Sequence, residues 1–468
     1  MAGYTPLEWL ALVEHELLLF AGVFFLIGAL DDLAIDGLWL WLKARGRAIT
    51  PVLARSRGEN APLAGRAAVL IPAWQEADVV GATVAHALAA WPQSDLRLYI
   101  GCYRNDPDTI AAVLAGSGGD PRVRVVVHDA HGPTTKGDCL NRLYAALSAD
   151  EAHMKAPFRM VVLHDAEDMV DPAALPLLDR AIADAEFVQL PVLPQVQAHS
   201  RWIGSHYCEE FAEAHGKALV VREAVGAGLP AAGVGCALDR VALRRLEGDR
   251  TGSGPFPREC LTEDYELGLR ISEFGGRSRF LRVRGDDGHL VATRAFFPDT
   301  LSGAVRQKTR WVHGIAFQGW DRMGWGGGMA ERWMRLRDRR GPLTAIVLLA
   351  AYCLVVVSGL LALLQEAGVP RPWETSPAVQ VLVVVNLVIF AWRAVLRFLF
   401  TAREYGWAEG LRAVARIPLA NVIAIMAGRR ALLGYVRSLR GELVAWDKTS
   451  HAGHPSPPPS WTGQVQQA

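Results

Sequence analysis

Residues 343–364 form an apolar run uninterrupted by charge. At about 1.5 Å per residue such a run crosses the ~30 Å hydrocarbon layer of a bilayer, so everything else in the chain must be placed relative to a membrane. A second run, 379–400, carries charge only at Arg393 and Arg397, near its end, where long side chains can snorkel toward the cytosolic side. The loop between the two runs, 365–377, holds two Glu and one Arg, as expected outside the cell. A third run, 9–30, is broken only by Glu14, His15 and Glu16 and has no basic stretch before it, which argues against a cleaved signal peptide. Lys43, Arg45 and Arg47 follow it, so the N-terminus is expected outside and the next domain in the cytosol. Asp31, Asp32 and Asp36, in the stretch ending at Trp41, read as the lower end of the span and an interfacial turn.

The apolar segment 417–427 is short and has Arg412 and Arg416 before it and Arg429, Arg430 and Arg437 after it. Crossing would push one basic cluster outward, so an interfacial helix with arginines at the headgroups is expected. The expectation is three spans with the C-terminus inside. The implied division is a membrane and interfacial segment (1–47), a cytosolic domain (48–320), a membrane region of two spans and the interfacial helix (321–440), and a flexible tail (441–468).

Between the membrane parts the pattern alternates short β runs with helical stretches. Strands are expected at 67–72, 96–103, 123–127 and 158–164, and helices at 77–90, 135–147 and 262–274. Strands alternating with helices imply an α/β domain with a mainly parallel sheet and its function at the carboxyl ends of the strands. The first strand lacks a G-x-G-x-x-G sequel, and Gly233-Val234-Gly235 has neither the third glycine nor the strand–helix setting, which disfavours a dehydrogenase. The formal charge of +1 gives no bulk field for nucleic acid, so no nucleic-acid partner is expected. Six cysteines without a C-x-x-C pair fit reduced thiols in a cytosolic domain.

Carboxylates and basic groups fall at the expected strand ends. Glu76 follows strand 67–72, and Asp106 follows strand 96–103 in Asn105-Asp106-Pro107. Lys136-Gly137 and Asn141 open a helix whose free N–H groups and basic side chain suit a diphosphate. Asp165 and Glu167, in His164-Asp165-Ala166-Glu167-Asp168, project alike from the end of an apolar strand and could share Mg2+ or Mn2+ with a diphosphate. Asp264 in Thr262-Glu263-Asp264 could be a general base. Gln307, Arg310 and Trp311 combine hydrogen bonding, phosphate binding and an aromatic sugar platform. Each pattern alone has an ordinary alternative: Glu76 as a helix-capping acid, Asn-Asp-Pro as a turn, Lys136 as a solvated side chain, the acidic cluster as an exposed turn, Asp264 as a helix-start acid, Trp311 as a membrane anchor.

Taken in order, the set resembles glycosyltransferase family 2, in particular its processive membrane members such as cellulose and hyaluronan synthases. The resemblance covers about 67–311 and the helices beyond. It implies a GT-A fold and inverting transfer from a nucleotide diphosphate-sugar to a growing polysaccharide. It would place Asp106 at the nucleoside, Lys136 at the diphosphate, Asp165 and Glu167 at the metal, Asp264 as base, and Glu263, Gln307, Arg310 and Trp311 around the acceptor and leaving group. Glu167 stands where the family often has Asp, which leaves Asp168 as an alternative ligand. Asn105-Asp106-Pro107 replaces the usual Asp-Asp-Gly. A narrower likeness, to a Gram-negative inner-membrane subgroup, rests on Ala29-Leu30-Asp31-Asp32, the His164–Asp168 cluster and Trp446-Asp447-Lys448-Thr449-Ser450-His451. Longer members carry a regulatory domain after that last motif, which this chain is expected to lack. Two other readings remain: a single transfer to a lipid-linked acceptor, and a non-catalytic membrane partner of an outer-membrane receptor or exporter.

Overall fold

The computed structural model describes residues 4–249, 254–441 and 453–455. The tail motif 446–451 lies outside them. The central sheet has seven strands: β1 (Ala67–Pro72), β2 (Leu96–Tyr103), β3 (Val123–His128), β4 (Met160–Leu163), β5 (Phe187–Gln189), β6 (Cys236–Asp239) and β7 (Ser278–Phe280), in spatial order 3-2-1-4-6-5-7. All neighbouring pairs are parallel except those of β6, which runs antiparallel to β4 and β5. The expected strand 158–164 shortens to β4, and the expected helix 135–147 lengthens to Lys136–Met154.

The central strands are apolar throughout because both faces are covered. Ala67, Val69 and Ile71 of β1 enter one core, with Val80, Val84 and Ala87 of the helix Val80–Ala90. Ala68 and Leu70, of opposite pleat, enter the other, with Leu140, Leu143 and Leu147 of the helix Lys136–Met154. β6 begins where β4 ends: Cys236 pairs with Leu163, and Gly235 N–H donates to Leu163 O at 3.0 Å. The loop before β6 therefore joins the loops after β1, β2 and β4 at one edge of the sheet.

Among the described residues, four helices are long and apolar enough to cross a membrane: α1 (Pro6–Ala44), α2 (Gly341–Glu366), α3 (Pro377–Tyr405) and α4 (Ile417–Ser438). The expected turn after residue 30 is absent. α1 is one helix of 39 residues, because its acids find cations instead of water. Asp31 and Asp32 pair with Arg337 and Arg340, and Asp36 with Lys217 and Arg393. Arg393 and Arg397 meet Glu213 and Glu209 of the α/β domain at 2.6 and 3.0 Å. α1 and α3 run in the same direction. Gly22 lies against Leu382 and its carbonyl accepts from Asn386, while lower down Asp36 accepts from Trp392 Nε1 at 2.9 Å. α2 runs the other way: Ser358 reaches Glu14, and Arg340, at its start, reaches Asp31.

α4 is longer than the expected 417–427, and both its ends meet the α/β domain. At one end the fully buried Arg416 pairs with Glu209 (2.7 Å) and Glu409 (2.6 Å). At the other, Tyr435 stacks on Phe317 and donates to Asp321.

Candidate active site

A cavity of about 400 Å³ opens at the carboxyl edge of the sheet. Glu76, Lys136, Asp165, Glu167, Glu263, Asp264, Gln307, Arg310 and Trp311 all line it, although the sequence spreads them over more than half the chain. Asp106 does not line it. Its buried carboxylate accepts the backbone N–H of Gln75 at 2.5 Å, in the turn where Gln75 takes φ +53°. It thus holds the loop that presents Glu76.

Lys136 sits at the start of its helix, where Thr135 Oγ1 accepts from Asp138 N–H. The two other residues of that motif are explained by packing. A Cβ on Gly137 would lie 2.5 Å from Pro257 O, and Asn141 clamps the Phe256 backbone, donating to its carbonyl (2.7 Å) and accepting from its N–H (3.0 Å). Both fasten the segment that leads to Thr262. Lys136 Nζ lies 2.5 Å from Asp165 Oδ1. Burial works against its charge, but Asp165, Glu263 and Asp264 outweigh it, and the ammonium is held well above its usual range.

The acidic turn divides into two functions. Asp168 is buried and its Oδ2 serves His164 Nδ1 and Asp165 N–H, each at 2.9 Å. Burial pushes it up to about 6 against the pull of His164. Asp165 and Glu167 line the cavity, and Asp168 also borders it while making those two bonds. No group of three or more His, Cys, Asp or Glu gathers around a metal position among the described residues. Two hard carboxylates suit a small divalent cation that keeps waters and takes further oxygens from a diphosphate.

Asp264 opens the helix Glu263–Glu273, and Thr262 makes no side-chain capping bond there. Asp264 Oδ1 accepts from Tyr265 N–H at 2.8 Å, and a Cβ on Gly233 (φ +75°) would come within 2.4 Å of its Oδ2. The carboxylate is thus fitted against bare backbone, a contact that only glycine allows at this φ. Burial raises Asp264, with Lys136 opposing. Glu263, beside it, is raised to about 7 by burial and by Asp264.

Gln307 is 9 % exposed and its Oε1, on the helix Leu301–Val312, has no hydrogen-bond partner among the described residues. A buried acceptor in a cavity wall calls for a donor from a bound molecule. Trp311 joins an aromatic wall with Tyr207, Phe211 and Phe297. Immediately after it, and again at Ala214–Ala218, the helices widen to π-helical turns, a distortion often found at functional sites.

Several lining residues escaped the sequence reading. Trp74 lies two positions before Glu76, packed edge-on to Tyr103 at 5.1 Å. His215 sits in the first π-helical turn; burial lowers it to about 4, and its Nδ1 accepts from Val192 N–H. Asp338 arrives from the helix Met329–Arg339. Only Trp74 stood near a recognised pattern.

The family model described as "Glycosyltransferase like family 2" matches residues 64–314. Bacteriophage adsorption protein B of Escherichia coli K12 is 33% identical over 459 residues, covering 92% of this chain and 61% of that protein. Bacteriophage N4 adsorption protein B of E. coli O157:H7 has the same identity and coverage. The chain thus spans about three fifths of the length of the curated relatives it matches. Among solved structures, the Pyrobaculum calidifontis mannosyltransferase PcManGT, in complex with GDP-Man and Mn2+, aligns with TM-score 0.50 and 15% identity, covering 89% of this chain and 99% of that one.

Proposed function

The chain belongs to glycosyltransferase-like family 2 and its catalytic domain has the GT-A fold, and from that premise we propose that it is an inner-membrane, inverting enzyme that moves a sugar from a nucleotide diphosphate-sugar to a growing polysaccharide. The observation that carries this reading is that one cavity gathers a cation for the diphosphate, a carboxylate pair, a partly buried carboxylate and an acceptor wall. Lys136 and Arg310 are positive groups for the leaving diphosphate. Asp165 and Glu167 would hold Mg2+ or Mn2+, which supplies charge neutralisation at that group. Asp264 takes the proton of the attacking hydroxyl, and its burial makes it a stronger proton acceptor than a solvated carboxylate. Gln307 and Trp311 hold the acceptor, with Glu263 beside them. Glu76 serves the donor end, and Asp106 acts there through the turn it fixes.

The membrane arrangement follows the same reading. The N-terminus lies outside, α1, α2 and α3 cross, and α4 lies at the cytosolic surface. The two ends of α4 on the catalytic domain support this, because a crossing helix would carry one end away from it. Transfer of one sugar to a lipid-linked acceptor is a second reading, favoured by the apolar part of the cavity wall at Phe211, Leu219 and Ile315.

The test is a screen of nucleotide diphosphate-sugars with Mg2+ or Mn2+ in native-lipid nanodiscs, reading nucleotide diphosphate release. Metal-dependent release lost in Asp264→Asn supports an enzyme. No release with any donor would reject it. Product length then separates polymer from single transfer.

A further inference from the structure

Asp264 owes its position to two walls, and one helix outside the sheet holds both. The first wall is the base's own helix. Tyr265, next to Asp264, is 5 % exposed, and its hydroxyl donates to Asp338 Oδ2 at 2.9 Å. The second wall is the segment that runs from Gly228 to Gly233, against which the carboxylate rests. Arg222 binds Asp338 through Nη1 at 2.8 and 2.9 Å and donates from Nε to Gly228 O at 2.6 Å. Gly228 N–H in turn donates to Glu331 Oε2 at 2.7 Å. Asp338 and Glu331 both belong to the helix Met329–Arg339. The walls also touch each other: a Cβ on Gly268 would lie 2.4 Å from Leu229 O.

The same helix faces the membrane. Arg337, adjacent to Asp338, pairs with Asp31 and Asp32 of α1, and Arg340 repeats both contacts. Trp333 Nε1 donates to Asp31 Oδ1 at 2.6 Å.

We propose that Asp338 is a positioning residue for the transfer reaction: through Tyr265 and Arg222 it sets the gap in which Asp264 meets the acceptor hydroxyl, and it ties that gap to the first membrane helix. The inference rests on Asp264 as base. Its chemistry is geometric. Asp338 does not touch the reacting atoms; a small turn of the base helix swings the carboxylate either into the Gly233 backbone or away from the hydroxyl.

The experiment uses the full chain in nanodiscs, with Tyr265→Phe, Asp338→Asn, the double variant and Asp264→Asn. Tyr265→Phe keeps the ring and so the packing. Two readouts are taken: hydrogen–deuterium exchange of peptides covering 228–234, 262–268 and 160–168, and kcat and KM for the donor found in the screen. We expect faster exchange at 228–234 or 262–268 with 160–168 unchanged, and kcat lower by about tenfold to a hundredfold. Donor KM should stay within about twofold. The double variant should be no slower than the slower single variant, since both cut one chain of contacts. Asp264→Asn should lose turnover without the exchange change. Unchanged exchange in both single variants overturns the proposal, as does a parallel rise in donor KM or full additivity. A wild type that turns over no donor instead rejects the proposed function, a distinct result.

Discussion

Asp264 is pulled in two directions, and its rate–pH behaviour follows from the balance. Burial raises its pKa and Lys136 lowers it, with the net shift upward. A carboxylate in the proposed role of base works only when deprotonated, so activity should fall as pH drops through that raised value, above the ~3.9 of a free Asp. A kcat–pH profile whose acid limb lies at or below the free value would contradict the buried base. Asp264→Asn should keep donor affinity and lose about 10²–10⁴-fold in transfer rate. If it merely melts earlier while turning over normally, the carboxylate belongs to the helix start alone. Asp165→Asn removes one of the two carboxylates proposed to hold the metal and frees Lys136 from its closest partner. It should abolish donor binding that depends on Mg2+ or Mn2+, as read by calorimetry; full metal-dependent binding in this variant would reject the assignment.

Elements explain why short motifs work here. The turn at Gly233 was visible in the sequence only as two glycines without a partner glycine. In the structure it is the backbone floor beneath Asp264. Gly233→Ala should leave a folded protein that has lost most of its turnover, because the new methyl meets a carboxylate oxygen; near wild-type kcat would show that the floor can give way. A different element carries stability. Arg416 and Glu209 are both fully buried and join α4 to the helix His206–Glu213 that leads into the cavity wall. Arg416→Ala leaves two buried carboxylates short of a partner and should cost about 3–5 kcal/mol, seen as earlier unfolding in detergent. The central strands were legible because β1, β2 and β4 are apolar on both faces and end in chemistry-bearing residues. The antiparallel β6 was not, since four residues give no sign of direction. The continuity of α1 was hidden for another reason. Asp31, Asp32 and Asp36 look like a break until the arginines some 300 residues later are placed beside them. Likewise Glu263, Asp264 and Gln307 were legible as residue types, whereas Asp338 and His215 enter the site only through tertiary packing.

At the scale of the whole molecule, α1 and α3 run in one direction and α2 in the other, so with the three proposed crossings reporters fused to the two chain ends should report opposite sides: outside for the N-terminus, inside after α4. A C-terminal reporter active only in the periplasm would mean that α4 crosses. The paired contacts along these helices have a metrical consequence. α1 is keyed to α3 at two heights, Gly22 on Leu382 above and Asp36 on Trp392 below, and to α2 at Glu14 and Asp31. Adding one residue to α1 alone would rotate its lower part by about 100° and lower it by about 1.5 Å, turning the aspartates from their arginines. Seven residues would nearly restore the angle but not the height. The spacing therefore behaves like a vernier, in which phase and level agree only when all three helices change by the same whole turns. With the three crossings proposed above, fitting the chain to a thicker bilayer would require lengthening the three helices in concert.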